Sequence, residues 1–290
     1  MCLTRATRPT AETHNMSNPY SGLVSAANRQ LYAEEGYMVL EGVIADDMLQ
    51  MLREECSYFL GYMDARFDAG LVADGALSFR GKRYFVNNLY RYSSRTWQFI
   101  FGGLMAEVCR ATLGDEAYLF NEQWVVKGSE QGMDFSWHQD SGYVKFMDSG
   151  TTHRPYVTCW CTLDAVDESN GTVYLMPHSR GGTANRIIDH DRDPDTNDLV
   201  GYAGDDPGIA IEAPAGSVVA FSSYNLHSSG ANSTDRMRRV YLPQYAPAPL
   251  RHSRTGERFN LAVPFLREGR NVYDHATDTP ERWGGAAPPG

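Results

Sequence analysis

From Ala117 onward the chain reads as a succession of short strands: Tyr118–Lys127, Tyr156–Leu163, Thr172–Met176, Ile209–Ala213, Ser217–Phe221 and Arg239–Tyr245. These segments are rich in Val, Tyr, Phe and Thr and are separated by Gly, Pro and Asn turns. Many short strands of this kind fit two sheets packed face to face, a double-stranded β-helix or jelly roll. Helices come first. Ala26 to Glu35 reads as a helix stopped by Gly36, followed by a strand beginning at Tyr37. Met48, Leu49, Leu52, Cys56, Phe59 and Leu60 recur at helical spacing behind Asp46 and Asp47, which suit an N-terminus. Trp97 to Leu113, closed by Gly114, reads as a third helix. The expected class is therefore α+β, mainly β, with the early helices packed on one outer sheet.

Residues 1–20 are polar and lack apolar periodicity, so they are expected to be unstructured, and Met16 competes with Met1 as the natural start. Residues 21–250 form the expected domain, with 251–290 as a C-terminal extension packed on it or trailing it. The segment 181–207 is long, acidic and aperiodic, which fits either a lid or a mobile surface loop. Asp189, Asp191, Asp193 and Asp195 alternate there as in a calcium loop. Pro194 occupies the turn-glycine position and Val200 the closing-glutamate position, so a solvated acidic loop is the better reading.

A net charge of -10 and a pI of about 5.3 disfavour nucleic acid and anionic lipid as partners. No apolar stretch approaches the ~20 residues that cross a bilayer, and Met1 to Ser17 lacks the apolar block of a secretion signal, so a cytoplasmic location is expected. Five cysteines, Cys2, Cys56, Cys109, Cys159 and Cys161, make no disulfide framework in such a chain. Cys159 and Cys161 share one strand face, but no neighbouring Cys or His pair completes a zinc site.

Chemistry concentrates in Phe135-Ser-Trp-His-Gln-Asp140. On extended backbone a histidine and a carboxylate two apart point to one face, so His138 and Asp140 are placed to grip one metal while the distant His227 completes the set. Two imidazoles and one carboxylate are the ligands of non-haem Fe(II) oxygenases, which leave half of an octahedron open. Arg238 follows His227 by eleven residues, at the threshold of the next strand. A guanidinium there suits the far carboxylate of a dicarboxylate whose near end chelates the metal, which points to 2-oxoglutarate. Arg236 and Arg239 flank it as competing anchors.

The chain resembles the phytanoyl-CoA dioxygenase family of iron and 2-oxoglutarate oxygenases over roughly Ala26 to Tyr245. The resemblance is carried by Glu35-Gly-Tyr-Met-Val-Leu-Glu-Gly-Val, Trp137-His-Gln-Asp, Asp167-Glu-Ser-Asn-Gly-Thr-Val-Tyr-Leu-Met-Pro-His-Ser-Arg and His227-Ser-Ser-Gly-Ala-Asn-Ser-Thr-Asp-Arg-Met-Arg-Arg. It implies that His138, Asp140 and His227 ligate Fe(II), that Arg238 assisted by Ser229 binds the 2-oxoglutarate tail, and that Trp160 lies against the co-substrate. Gln123 and Lys127, on the strand before the metal motif, are expected to line the pocket. Pro177-His178-Ser179 departs from the family's usual Pro-Gly-Ser-His, and His178 is expected at the pocket rim or in water. Arg80-Gly-Lys82-Arg83-Tyr84 gathers basic groups, read either as a solvated loop or as a contact to an anionic substrate or co-substrate.

The family's chemistry implies O₂ as oxidant, succinate and CO₂ as co-products, ascorbate as a supporting reductant and a small-molecule substrate. Hydroxylation in a secondary-metabolite tailoring step is the leading expectation. Desaturation, epoxidation or ring formation with the same cofactors is the first alternative, and a non-catalytic jelly-roll binding protein is the second. Asp140 argues against halogenation, which needs a small residue at that position. Tyr143, Phe146 and Trp137 surround the motif as candidate pocket walls.

Overall fold

The computed structural model describes residues 19–72, 77–129 and 132–278. The expectation for residues 1–20 therefore lies almost wholly outside the described residues, as does the choice between Met1 and Met16. The helix α1 (Ala26–Glu35) starts where Ser25 accepts the Asn28 N–H and ends at Gly36, whose φ of 82° is left-handed. A Cβ at Gly36 would meet Asn225 Oδ1 at 2.2 Å, so only glycine turns the chain here into β1 (Tyr37–Leu40). The long helix α2 (Asp46–Asp68) opens on its two aspartates and buries Leu49, Leu52, Cys56, Phe59 and Met63, a stripe at helical spacing. Burying each such large side chain contributes roughly 1.5–3 kcal/mol. After β2 (Arg83–Asn87), the expected third helix is two: α3 (Thr96–Ile100) and α4 (Gly103–Thr112). The break falls at Gly102, whose extended backbone starts α4 afresh.

The strands follow as β3 (Ala117–Lys127), β4 (Phe135–His138), then α5 (Asp140–Met147), β5 (Val157–Thr162) and β6 (Val173–Met176). A turn of helix, α6 (His178–Gly181), leads to β7 (Asp191–Arg192), β8 (Leu199–Val200) and β9 (Ile209–Ala210). The chain closes with β10 (Val218–Ser222), β11 (Leu226–Ser229), β12 (Arg238–Ala246), β13 (Val263–Arg267) and β14 (Arg270–Asn271). The larger sheet has eight strands in the order β1-β10-β5-β12-β3-β13-β14 with β2 also on β3, and the smaller runs β4-β11-β6-β9. The two face each other as a jelly roll.

Alternation along β3 sorts the layers. Trp124 and Val126 pack outward with Phe59 of α2 and with Tyr241 and Tyr245 of β12, beneath the helices. Val125 points inward with Val240, Leu242, Trp160 and Phe221, against Val173 and Leu175 of the smaller sheet. Cys159 and Cys161 belong to the outer, helix-facing core and are free thiols.

Residues 251–278 of the C-terminal segment pack on the domain and complete its larger sheet. β13 pairs with β3, Val263 opposite Leu119, and buries Phe265 and Leu266. Asp278 binds the Arg91 Nε at 2.8 Å, fastening the far end.

The segment 181–207 is tied down along its length. Gln139 donates to Arg186 O and accepts the Ile188 N–H, Lys145 donates to Ile187 O, and β7 and β8 pair as a hairpin. The His190 ring accepts the Gln139 N–H at 2.9 Å and is so tightly packed that a Cβ on Gly142 would meet it at 2.3 Å. Asp193 binds the N–H groups of Asp195 and Thr196 in its own turn, while Asp189 pairs with Lys145. The alternating aspartates are thus turn and surface residues.

Candidate active site

His227 on β11 stands directly opposite His138 on β4 in an antiparallel pair, and the two rings lie 4.1 Å apart between centroids. The strand ends at His138, and Asp140 is the first residue of α5. Gln139 between them stays extended, with φ -105° and ψ 137°, so the one-face geometry expected of His-x-Asp survives although Asp140 itself belongs to a helix. Among the described residues this is the one group of three His, Cys, Asp or Glu side chains whose ligand atoms converge, all within 4.8 Å of one another. Asp140 Oδ1 lies 3.9 Å from His138 Nε2 and 3.7 Å from His227 Nε2.

Hydrogen bonds behind the triad decide which atoms face its centre. His138 Nδ1 lies 2.8 Å from Ser136 O and His227 Nδ1 3.2 Å from Asn225 O. A carbonyl only accepts, so each Nδ1 carries the proton and each Nε2 presents its lone pair. Burial and the neighbouring His227 hold the His138 pKa well below the ordinary imidazole value, keeping it neutral and fit for a metal. Asp140 Oδ2 accepts from the Thr158 hydroxyl and from Gln244 Nε2, the latter at 2.9 Å, which leaves Oδ1 facing the histidines.

The triad opens onto a cavity of about 320 Å³ between the sheets. Gln123, Lys127, Trp160 and Ser229 all line it. Three basic side chains stand in register beside it, Arg83 on β2 and Arg238 on β12 both opposite Lys127 on β3, and of these Arg83 and Lys127 line the cavity. They are treated differently. Arg83 is fully buried in a two-pronged pair with Asp198, at 2.7 and 3.0 Å, so it belongs to the cavity wall and tethers the 181–207 segment. Arg238 has no such partner. It is 1% exposed, its Nε and Nη1 are buried without a hydrogen bond, and its guanidinium lies 5.4 Å from the centre of the Trp160 ring. Burial pulls its pKa down to about 9, still charged at neutral pH. Lys127 donates to Gly230 O, and burial with the nearby Arg238 and Arg83 lowers its pKa well below the usual lysine value.

The competing arginines are spoken for or remote. Arg239 makes a two-pronged contact to Asp164 at 2.7 and 3.0 Å, and the Arg236 side chain is 89% exposed. His178 is neither at the rim nor in water: it is buried against Gly36, with Nδ1 3.1 Å from the Thr183 hydroxyl, and it braces the end of α1. Of the three aromatics flanking the motif, Tyr143 lines the cavity, Trp137 packs outside it near Tyr202, and Phe146 is exposed beneath Arg192. Arg80 pairs with Asp68 at the surface.

Several site residues went unread in the sequence. Thr158 and Gln244 brace Asp140, and Asn87, Asn88, Asn121 and Asn260 line the outer cavity. The period of two would have placed Thr158 on the face of Trp160, but nothing in the sequence sets the register that brings Gln244 beside it.

An open two-histidine, one-carboxylate triad inside a jelly roll, with a buried arginine that has two unbonded nitrogens beside the cavity-lining Trp160, defines a non-haem iron and 2-oxoglutarate oxygenase. The phytanoyl-CoA dioxygenase family model matches residues 32–240, and the chain belongs to that family. It is 27% identical over 160 residues to a 2-aminoethylphosphonate dioxygenase of an uncultured bacterium (HF130_AEPn_1), covering 55% of this chain and 57% of that one. An ectoine dioxygenase of Bordetella bronchiseptica is 23% identical over 227 residues, 73% of this chain and 72% of its own. The fold matches EvdO2 from Micromonospora carbonacea var. aurantiaca, solved with 2-oxoglutarate, at a TM-score of 0.60 and 20% identity over 80% of this chain and 94% of that one. No helix among the described residues is long and apolar enough to cross a membrane.

Proposed function

We propose that His138, Asp140 and His227 hold Fe(II), that Arg238 with Ser229 and Lys127 receives the distal carboxylate of 2-oxoglutarate beside Trp160, and that the enzyme hydroxylates a compact organic metabolite. The observation that carries this reading is Arg238. A guanidinium buried with two unpaired nitrogens costs several kcal/mol unless a carboxylate arrives to meet it, and its neighbours Trp160 and Lys127 line the cavity onto which the triad opens. Bound together, iron and 2-oxoglutarate supply the oxidising power that transfers one oxygen atom of O₂ to a C–H bond while succinate and CO₂ leave.

The chain's own part is holding and excluding. The Nδ1 bonds fix both imidazoles, Thr158 and Gln244 fix Asp140, and Phe221 packs 4.7 Å from the His227 ring, keeping water from that side. Tyr143, Met147 and Leu242 line the part of the cavity left for substrate. There the outer cavity offers carboxamides, Asn87 and Gln123 among them, while its charged groups are committed: Arg83 to Asp198, Asp140 and the histidines to iron, Lys127 and Arg238 to the co-substrate. This supports an uncharged substrate bearing hydroxyl or carbonyl groups. The buried free thiols fit a reducing cytoplasm, which is the location proposed.

The test is turnover of purified protein with Fe(II), ascorbate, O₂ and 2-oxoglutarate against a fractionated metabolite extract. Succinate release coupled to a product heavier by one oxygen is the expected result. A product lighter by two hydrogens replaces hydroxylation with desaturation or ring formation. Absence of succinate across every fraction contradicts the reading.

A further inference from the structure

Four carboxamides that line the cavity, Asn88, Asn260, Asn121 and Gln244, form a single directed string that ends on the metal-binding carboxylate. Asn88 Nδ2 donates to Asn260 Oδ1 at 2.9 Å, Asn260 Nδ2 to Asn121 Oδ1 at 3.2 Å, Asn121 Nδ2 to Gln244 Oε1 at 3.0 Å, and Gln244 Nε2 to Asp140 Oδ2 at 2.9 Å. Every link runs the same way. The four side chains come from four places in the chain: the turn after β2, strand β3, strand β12 and the loop before β13. Local sequence does not assemble them; the sheet register and the C-terminal segment do.

The direction is set at both ends by groups that have only one role. The Glu122 backbone N–H, which can only donate, binds Asn88 Oδ1 at 3.3 Å, and the Leu261 N–H binds Asn260 Oδ1 at 2.9 Å. At the other end the Asp140 carboxylate can only accept. A carboxamide is nearly symmetrical in shape, so packing alone does not tell its nitrogen from its oxygen. Here reversing any one of them sets oxygen against oxygen on one side and N–H against N–H on the other. With the ends fixed, all four amides are fixed.

The consequence falls on Gln244. Reversed, it would turn Oε1 towards Asp140 Oδ2, and the carboxylate would lose one of its two braces. As it stands, Gln244 Nε2 also reaches the Thr158 hydroxyl at 3.0 Å, and that hydroxyl donates to the same Oδ2. Both braces therefore depend on the orientation of one amide, and Oδ1 alone remains for the ion.

We propose that Gln244 is a positioning residue for the metal site, and that Asn121, Asn260 and Asn88 act through it as a string of fixed polarity that holds the Asp140 carboxylate in its ligating orientation. The proposal rests on the metal-site reading given above. It predicts that neutral substitutions remote from the ion weaken metal binding, in order of their distance along the string.

The experiment is titration of the purified protein with Co²⁺ alone, followed by calorimetry and by the visible absorption of bound cobalt, for wild type, Gln244→Leu, Asn121→Leu and Asn260→Leu. These substitutions leave charge unchanged, so any effect on cobalt comes from hydrogen bonding. Gln244→Leu is expected to weaken Co²⁺ by about 10–100-fold and to alter its spectrum. Asn121→Leu should lose about tenfold and Asn260→Leu a few-fold, on the same expectation. Asn260 is half-exposed near the mouth and tolerates leucine most easily, so it keeps the test open if an inner variant fails to fold. Wild-type affinity and spectrum in a folded Gln244→Leu overturn the proposal. A loss in Gln244→Leu with Asn121→Leu and Asn260→Leu both unchanged overturns the string and leaves a single contact. Failure of the wild type itself to bind Co²⁺ contradicts the metal-site reading, a different result from equal binding by all four proteins.

Discussion

Arg238 and Lys127 stand directly opposite each other on neighbouring strands, two buried basic side chains of which Arg238 keeps two nitrogens unbonded. Burial and the neighbouring Arg238 hold the Lys127 pKa well below the usual lysine value. On the function proposed above a dicarboxylate meets Arg238, so stability and co-substrate affinity become two readings of one interaction. Arg238→Met is expected to leave the ligand-free protein as stable as wild type or a few degrees more so. In wild type 2-oxoglutarate raises the melting temperature, and in Arg238→Met that rise disappears. Thermal melting with and without 2-oxoglutarate checks both halves. A variant that loses stability yet keeps the ligand's effect speaks against Arg238 as the anchor.

His138→Ala and Asp140→Ala remove a ligand and should abolish iron-dependent succinate formation, a loss of at least ~10³-fold, while circular dichroism stays native. Arg238→Ala should chiefly raise the 2-oxoglutarate concentration needed for half-maximal rate. Equal activity in all three contradicts the assignment.

Glu122 gives the protein a pH signature unrelated to catalysis. It is fully buried, with one carboxyl oxygen on the Tyr90 N–H at 2.9 Å and the Tyr241 hydroxyl beside it, and burial raises its pKa to about 7. Its folded pKa exceeds its unfolded one, so the folded state holds a proton that the unfolded chain has released. Stability from this group therefore falls as pH rises from about 4.5 to about 7 and levels off above. Glu122→Gln should remove that fall and melt several degrees higher than wild type at pH 8, with a smaller difference at pH 5. Parallel melting curves across that range count against it.

Arg83 and Asp198 tether the 181–207 segment to the cavity wall through a fully buried pair. Removing one partner leaves a buried charge alone, so Asp198→Ala should cost about 3–5 kcal/mol in urea unfolding and expose the segment to protease. Arg83→Met with Asp198→Leu should recover much of the loss, because neither charge is then stranded.

The metal triad and the helices were legible in the sequence because each depends on spacing within one stretch of chain. His-x-Asp needs only extended backbone at Gln139, and α2 needs only its apolar stripe. Arg238 is preferred to Arg239 by its spacing of eleven residues from His227, and the structure commits Arg239 to Asp164 while two nitrogens of Arg238 stay unbonded. The Gln244 and asparagine contacts were not legible, because they join positions more than 100 residues apart in the chain. The break at Gly102 and the burial of His178 were missed for a related reason. Helical periodicity runs unbroken through a single glycine, and only the packing of α6 on α1 shows where His178 goes.

The account stands or falls on whether one ferrous ion sits among His138, Asp140 and His227 with room beside it for 2-oxoglutarate. Anaerobic titration of the metal-free protein with Fe(II) in the presence of 2-oxoglutarate, watched through the visible band of the iron chelate, measures this directly. One ion per chain, a band that saturates at that ratio, and loss of the band in His227→Ala are predicted. A protein that shows no band, or a band that His227→Ala leaves unchanged, contradicts the account.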